Sequence, residues 1–251
     1  MTDEPVHLSV VIPAFEEEAR IGPTLARVRT YLDGQPYRSE VLVVVDGGTD
    51  ATLAQAERLG ADWPALRVLD NGRNRGKGFS VRRGMLEAEG RYRLFSDADL
   101  STPIEEIERL IAAMDGGAQV AIGSRALAAS DVRVRQAWWR QSMGRAFNRV
   151  VRLTTVAGFG DTQCGFKCFR AEAAREVFAR QHLERFAFDV ELLWIATRLG
   201  YEIVEVPVVW VNDPASRVHP VSDSLRMLLD LARVRLADLR GLYGRLGDGG
   251  D

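Results

Sequence analysis

The first half of the chain alternates short apolar runs with longer segments whose apolar residues recur at helical spacing. Runs such as LSVVI and VLVVV are apolar at nearly every position, which is typical of strands covered by helices on both faces. The alternation predicts βαβ units and a largely parallel sheet flanked by helices. The predicted strands are Val6–Ile12, Val41–Val45, Leu66–Leu69, Tyr92–Phe95 and Val120–Ile122, and the predicted helices are Ile21–Leu32, Ala51–Leu59, Phe79–Ala88 and Ile104–Met114.

Beyond Arg125 the spacing changes and predicts a mixed second half that begins with a basic helix. A chain of 251 residues, 46% of them apolar, is long enough to bury one sizeable core. We therefore expect a single α/β domain over residues 1–240, in two halves at 1–125 and 126–240, and a flexible tail at 241–251. The predicted elements of the second half are helix Ala137–Thr155, strand Gln163–Phe169, helices Ala171–Ala179 and Val190–Leu199, strand Glu202–Val211 and helix Val221–Leu239.

Composition and charge exclude several classes of function. The formal net charge of −2 argues against a nucleic-acid partner. The two cysteines, Cys164 and Cys168, and three scattered histidines provide neither a disulfide framework nor a zinc site of ordinary spacing. No apolar run approaches the roughly 20 residues that span a bilayer, and the first residues lack the features of a signal peptide. We expect a cytoplasmic protein, or one bound peripherally to the cytosolic face of a membrane.

Two acidic residues, Asp97 and Asp99, directly follow the apolar strand at Tyr92–Phe95. Carboxylates one residue apart at a strand end can hold a divalent ion, Mg²⁺ or Mn²⁺, that also binds a diphosphate. The alternative is that they cap the next helix. The sequence Thr102-Pro103-Ile104-Glu105 has the pattern of a capping box, so we assign that role to Thr102 and the metal to the two aspartates.

Other strand ends of the first half carry polar residues at the same predicted edge of the sheet. Lys77 lies in a glycine-rich loop, Asn74-Arg75-Gly76-Lys77-Gly78, which suits phosphate oxygens, although Gly76 and Gly78 would also suit a plain turn. Asp46 ends a buried strand and could accept a hydrogen bond from the N–H of a uracil-like base. The spacing matches neither a P-loop nor a dinucleotide-binding fingerprint.

The motifs VVIPAFEEE, VVDGGTD, NRGKG, DADLSTP and GSR, in this order, resemble family 2 glycosyltransferases. DTQCGFKCF, FDVELL and DSLRMLLDL extend the resemblance to about residue 239, towards the dolichyl-phosphate β-glucosyltransferase branch. The resemblance implies a GT-A fold, a nucleotide-sugar donor such as UDP-glucose, a divalent metal and an inverting transfer. Residues 1–125 would bind the donor nucleotide and residues 126–240 the acceptor.

The resemblance also implies roles for individual residues. Pro13, Ala14, Glu16 and Asp46 would contact the nucleoside, Asp97 and Asp99 would bind ribose, metal and diphosphate, and Arg125 would bind phosphates. Two positions depart from the family pattern. The relatives carry a paired acid, VDDGS, where this chain has Asp46-Gly47-Gly48, and several mannosyl relatives have glutamine where this chain has Ser101.

Asp189 in FDVELL is the candidate catalytic base for a hydroxyl acceptor, with Glu191 second. A phosphate monoester acceptor is already anionic at neutral pH, because its second pKa is about 6, and needs no strong base. Asp189 would then orient the acceptor or an arginine. The alternative for Asp189 is the N-cap of the helix predicted to begin at Val190.

Residues 132–155 carry six arginines and no acidic residue, with Trp138 and Trp139 among them. A basic amphipathic helix with tryptophans suits an anionic membrane surface or a lipid phosphate, and the alternative is a surface helix packed on the core. We assign Arg140 to the phosphate of a polyprenyl phosphate, together with Ser216 and Arg217, which resemble a family loop over the donor diphosphate. Membrane contact would be peripheral.

Three other functions compete with this hypothesis. A family 2 enzyme with a hydroxyl acceptor would keep every donor motif and lack the lipid. A sugar-phosphate nucleotidyltransferase has a glycine-rich loop after its first strand, where this chain has PAFEEE. A non-catalytic nucleotide-sugar-binding module would not need the pair of acidic metal ligands.

Overall fold

The computed structural model describes residues 4–133, 158–211 and 220–244, and for residues 220–228 it describes the backbone alone. The predicted helix Ala137–Thr155 and the end of the predicted tail lie outside these residues. Among the described helices, none has both the length and the apolar character that a membrane span requires.

A seven-stranded sheet runs through the described domain in the order β3-β2-β1-β4-β7-β5-β8. All of its neighbouring strands are parallel except β7, which is antiparallel to both β4 and β5. The predicted α/β class and mostly parallel sheet are therefore confirmed. The strands are β1 Leu8–Ala14, β2 Ser39–Val45, β3 Leu66–Asp70, β4 Tyr92–Ser96, β5 Val120–Ser124, β7 Phe166–Arg170 and β8 Ile203–Pro207; β6 Asp131–Val132 and β9 Val209–Trp210 form a separate parallel pair.

Helices cover both faces of this sheet, as the apolar strands predict. Alternate residues of β1 and β2 belong to two separate buried clusters, one with α1, α2 and α4 and the other with α3, α5, α6 and α7. Full burial of one Val or Leu side chain contributes about 1.5–3 kcal/mol, so the two clusters supply the main driving force for folding. The helices are α1 Ile21–Asp33, α2 Thr52–Ala61, α3 Lys77–Glu87, α4 Ile107–Asp115, α5 Ala171–Ala179, α6 Phe188–Arg198 and α7 Pro220–Leu239.

Strand β7 brings the second half of the chain to the functional edge of the sheet. Because it is antiparallel, its first residues lie beside the carboxyl end of β4, and the Asp97 N–H donates to the Gly165 carbonyl at 3.1 Å. A Cβ atom at Gly165 would lie 2.1 Å from Asp97 Oδ2. Glycine is therefore the residue that lets the Asp97 carboxylate occupy this position.

Two predicted elements and one predicted boundary differ from the structure. The strand predicted at Glu202–Val211 is two strands, because β9 leaves the main sheet after Pro207 and pairs with β6. The helix predicted at Ile104 begins with a short 3₁₀ turn that no side chain caps. Tyr243, inside the predicted tail, is 1% exposed, so the packed chain extends past residue 240.

Candidate active site

A cavity of about 360 Å³ lies beyond the carboxyl ends of β1, β2 and β4. Ligands of open parallel sheets bind at this edge. The cavity brings together residues that are separated by up to 173 positions in sequence, from residue 13 to residue 186. Six of the predicted site residues line it: Pro13, Ala14, Asp46, Lys77, Asp97 and Asp99.

Lys77 and Asp97 form an ion pair in this cavity, with 2.5 Å between Nζ and Oδ1. The side chains are 24% and 35% exposed, so both are open to a ligand. Burial disfavours the ammonium of Lys77, but the carboxylates of Asp97 and Asp189 outweigh it and hold its pKa above the usual value. Lys77 is therefore a protonated cation that already compensates part of the acidic charge in the cavity.

Asp99 lies beside this pair, and its Oδ1 accepts a hydrogen bond from the Ser101 N–H at 2.8 Å. Burial, followed by repulsion from Asp97, raises its pKa. The capping role assigned to Thr102 is wrong, because Pro103 occupies the N-cap position and the Thr102 hydroxyl contacts the Cys164 sulfur. Asp99 thus closes a local turn and still lines the cavity.

Asp97 and Asp99 fit a divalent ion. Both are hard oxygen donors on the cavity wall, and within the described residues the buried atom Asp97 Oδ1 contacts Lys77 Nζ. Within those residues, no cluster of three or more acidic, histidine or cysteine side chains forms a complete ligand set. Mg²⁺ is commonly held by one or two carboxylates together with substrate phosphates, so a two-carboxylate site is consistent with an ion that binds with its substrate.

The Asp46 carboxylate holds the glycine-rich loop. It accepts hydrogen bonds from the backbone N–H groups of Arg75 and Gly76 at 3.0 and 2.7 Å, and from the Asn71 amide at 2.8 Å. Three donors leave about one of the four lone-pair sites of a carboxylate for a ligand. The predicted hydrogen bond from a nucleobase to Asp46 stays a prediction. The structure adds a second role that the sequence analysis missed, in which Asp46 holds the glycine-rich loop.

Asp189 lies behind the cavity rather than in its lining. The residue is in the first turn of α6, whose N-cap is Ala187, so the alternative role of Asp189 as an N-cap is wrong. Its carboxylate accepts a hydrogen bond from Lys167 Nζ, and the two side chains are 6% and 0% exposed. Burial raises the pKa of Asp189, and Lys167 and Lys77 offset only part of that effect.

Lys167 is a site residue that the sequence analysis missed. Its Nζ also donates to the Cys164 carbonyl at 2.6 Å. The sequence feature that could have identified it is a lysine in the otherwise apolar and aromatic run FKCF, where burial of a charge without a partner would be costly.

Glu191, the second candidate base, does not line the cavity. Its carboxylate accepts hydrogen bonds from the N–H groups of His182 and Leu183 at 3.0 and 2.8 Å, and from the Tyr243 hydroxyl at 2.6 Å. Burial raises the pKa of Glu191 despite these donors. Its contacts indicate a role in positioning the chain around residues 182–183.

Arg125 also lies outside the cavity lining. Its guanidinium binds Asp161 through two hydrogen bonds of 2.6 and 2.8 Å. Burial disfavours the charged form of Asp161, but Arg125 more than offsets this and lowers the pKa to about 2. Glu16 has a positive φ of 51° and lies next to the cavity residues Phe15 and Glu17. Arg140, Ser216 and Arg217 lie outside the described residues.

Arg185 and Phe186 line the cavity and were also missed. They precede the motif FDVELL in sequence, and their neighbours pack on the glycine-rich loop. A Cβ atom at Gly76, where φ is +105°, would lie 2.3 Å from the Glu184 carbonyl oxygen, and one at Gly78 would lie 2.6 Å from that of Leu183. The two glycines therefore permit close approach to residues 183–184, in addition to forming a turn.

Comparison with known proteins gives a consistent result. The family profile described as Glycosyl transferase family 2 matches residues 9–178. Curated relatives named dolichyl-phosphate beta-glucosyltransferase include one from Drosophila melanogaster that is 38% identical, with 97% of this chain and 79% of the relative aligned. Those from Homo sapiens and Saccharomyces cerevisiae are 35% and 34% identical, cover 94% and 96% of this chain, and are themselves covered over 77% and 78%.

Solved structures of similar fold include two sugar-phosphoglycerate synthases. The mannosyl-3-phosphoglycerate synthase of Rubrobacter xylanophilus superimposes with a TM-score of 0.67 at 17% identity, over 98% of this chain and 78% of that chain. The glucosyl-3-phosphoglycerate synthase of Mycobacterium tuberculosis, solved with Mn²⁺, UDP and glucosyl-3-phosphoglycerate, gives 0.63 at 20% identity over 97% and 82%. The predicted GT-A fold is confirmed by these comparisons.

Proposed function

Because this chain belongs to glycosyltransferase family 2, we propose that it moves glucose from UDP-glucose to the phosphate of a dolichyl-type polyprenyl phosphate. The observation that carries the proposal is the 34–38% identity to dolichyl-phosphate beta-glucosyltransferases along nearly the whole chain. The cavity supports it, because acidic and basic side chains meet there at the carboxyl edge of the sheet, as the binding of a diphosphate with a divalent ion would require. The chain is a glycosyltransferase, and the identities of sugar and acceptor are the proposed part.

The donor would lie along the carboxyl edge of the sheet. Pro13, Ala14 and Glu16 would contact the nucleoside, and the remaining acceptor capacity of Asp46 would bind the uracil N–H. Lys77 would bind the diphosphate by exchanging part of its contact with Asp97 for phosphate oxygens. A divalent ion, Mg²⁺ or Mn²⁺, held by Asp97 and Asp99 would supply neutralisation of the charge on the leaving diphosphate.

The transfer itself is an in-line displacement. An oxygen of the acceptor phosphate attacks the anomeric carbon, the bond from that carbon to the diphosphate breaks, and UDP leaves with the bonding electrons. The products are UDP and glucosyl polyprenyl phosphate with inverted configuration. A dianionic phosphate needs no proton removed, so the catalytic role of Asp189 is orientation at the acceptor side, where Lys167 holds it in place.

The acceptor phosphate would be bound by Arg125 and Arg140, with Ser216 and Arg217 closing the site. Asp161 engages Nε and Nη2 of Arg125, which fixes the guanidinium plane. Peripheral contact with the cytosolic face of a membrane would come from the arginine-rich segment at residues 132–155. Exposed charges are screened beyond about 8 Å at physiological ionic strength, so sedimentation with anionic vesicles should weaken as salt rises.

The direct test is transfer by the purified protein from a panel of UDP- and GDP-sugars, with polyprenyl phosphate or a water-soluble hydroxyl compound as acceptor. We expect UDP-glucose and the lipid to give the fastest transfer, and NMR of the product to show a β-anomeric proton. Equal transfer to the hydroxyl compound without any vesicle binding would favour the hydroxyl-acceptor function. Release of pyrophosphate from UTP and glucose 1-phosphate would favour a nucleotidyltransferase.

A further inference from the structure

The charges that line the cavity are unevenly compensated. Two of its three basic side chains are paired: Lys77 contacts Asp97, and Arg20 binds Glu17 through two hydrogen bonds of 2.6 and 2.9 Å. The third, Arg185, has no acidic partner in the described parts of the chain. The four acidic residues of the lining outnumber the basic ones: Glu17, Asp46, Asp97 and Asp99 against Arg20, Lys77 and Arg185.

The acid next to Arg185 in sequence is engaged elsewhere. Glu184 forms an ion pair with Arg75 at 3.4 Å, and the Arg75 guanidinium in turn stacks on the Phe79 ring at 3.5 Å from its centroid. Glu184 therefore does not neutralise Arg185. Arg185 is exposed and lines the cavity, so it is available to an anion that enters.

The segment that carries Arg185 is held by several independent hydrogen bonds. The Glu191 carboxylate accepts the N–H groups of His182 and Leu183, and the Gln181 amide donates to the Gly78 carbonyl at 2.9 Å. The Phe79 N–H donates to the Glu184 carbonyl at 3.1 Å. The backbone at Arg185 is thus ordered before any ligand arrives, which lowers the entropy cost of binding.

We propose that Arg185 binds a phosphate group of the substrate in this cavity, as a further binding residue beside Lys77. The proposal rests on the proposed function, which brings phosphates to this edge. A guanidinium presents two parallel N–H donors that match phosphate oxygens, and Arg185 is the exposed basic residue of the lining that has no acidic partner among the described residues. The donor diphosphate and the acceptor phosphate share this chemistry.

The test compares wild type with Arg185→Ala, Arg185→Lys and the control Arg175→Ala, all with Mg²⁺ present. Arg175 is exposed on α5. Burial and then the charge of Arg175 lower the pKa of Arg93, which lies near the amino end of β4, away from the cavity. Calorimetric titration with UDP and with uridine separates phosphate from base binding. We expect Arg185→Ala to weaken UDP binding by about 10- to 100-fold and to leave uridine binding unchanged.

Arg185→Lys should recover part of the affinity, Arg175→Ala should match wild type, and equal thermal unfolding midpoints would show that every variant is folded. Unchanged UDP affinity with a raised KM for polyprenyl phosphate and an unchanged kcat would assign Arg185 to the acceptor phosphate. Unchanged UDP affinity and unchanged acceptor KM would overturn the proposal. Wild type that binds UDP but glucosylates no lipid would refute the proposed function alone, because the UDP titrations still test Arg185; wild type that binds no nucleotide would refute both.

Discussion

Two lysine–aspartate pairs lie near the same edge of the sheet and differ mainly in their exposure to solvent. Lys77–Asp97 lines the cavity with both side chains about one quarter to one third exposed, at 24% and 35%. Lys167–Asp189 lies behind the cavity at 0% and 6%. Both pairs join a loop or helix of one part of the chain to a strand or strand end of another.

The difference in exposure indicates that the two pairs have different roles. The Lys77–Asp97 pair can exchange partners with an entering diphosphate or ion, because water and the ligand can replace the contact between the two side chains. The Lys167–Asp189 pair has no such replacement, since separating two buried charges leaves both without solvent. The first pair therefore suits ligand binding, and the second holds α6 against β7 and sets the position of Asp189.

The largest expected difference between the two pairs is in their contribution to folding stability. Lys167→Met leaves Asp189 buried without its partner, and we expect it to lower the free energy of unfolding by about 3–5 kcal/mol. Lys77→Met, at the exposed pair, should cost less than about 1 kcal/mol. Denaturant unfolding of both variants measures the difference. Replacing both Lys167 and Asp189 with apolar residues should restore much of the stability, and equal losses for the two single variants would contradict the distinction.

A second effect concerns catalysis at the exposed edge. Asp99→Asn removes a charge next to Asp97, and we expect transfer to fall by about 10²- to 10³-fold, which corresponds to a loss of several kcal/mol of charge stabilisation. Because burial already raises the pKa of Asp99, the variant should be at least as stable as wild type. Steady-state kinetics and thermal unfolding check the two parts. Full turnover by the variant, or by wild type in excess chelator, would show that Asp99 holds no essential ion.

An intermediate case is the Arg125–Asp161 pair, in which Arg125 is 30% exposed and Asp161 is 2% exposed. The folded pKa of Asp161, about 2, lies below its unfolded value of about 3.9, so the ionised pair stabilises the fold above pH 4 and the gain is lost as pH falls towards 2. We expect Asp161→Asn to be less stable than wild type by about 2 kcal/mol at pH 7, a gap that closes near pH 2. Unfolding titrations of both proteins across this range decide the point, and a gap that does not change with pH would contradict it.

The smallest expected effect concerns the selectivity of the site for the nucleobase of the donor. If the Asp46 carboxylate accepts a hydrogen bond from the uracil N–H, wild type should bind UDP at least about 10-fold more tightly than GDP, a difference of about 1.4 kcal/mol. Calorimetric titration of both nucleotides measures it. Asp46→Asn should then reduce this preference, whereas a variant that loses affinity equally for both would show that Asp46 acts only by holding the glycine-rich loop. Tighter binding of GDP would overturn the assignment.

The pattern of apolar and polar positions along the chain is enough to predict the layered α/β architecture and most of the residues at the carboxyl edge of the sheet. Apolar strands covered on both faces have a recognisable pattern, and parallel strands place their carboxyl ends at one edge. Asp46, Lys77, Asp97 and Asp99 each directly follow or lie near such an end, so their meeting in one cavity could be predicted.

The pairing of charged groups, by contrast, depends on the tertiary structure. Lys167 reaches Asp189 because β7 enters the sheet antiparallel between β4 and β5, and no local pattern encodes that insertion. Arg125 meets Asp161 rather than the cavity, and Arg185 reaches the cavity because residues 183–184 pack on Gly76 and Gly78. Spacing along a strand or helix is set by local backbone geometry, whereas a contact between distant side chains depends on how loops and layers close in space.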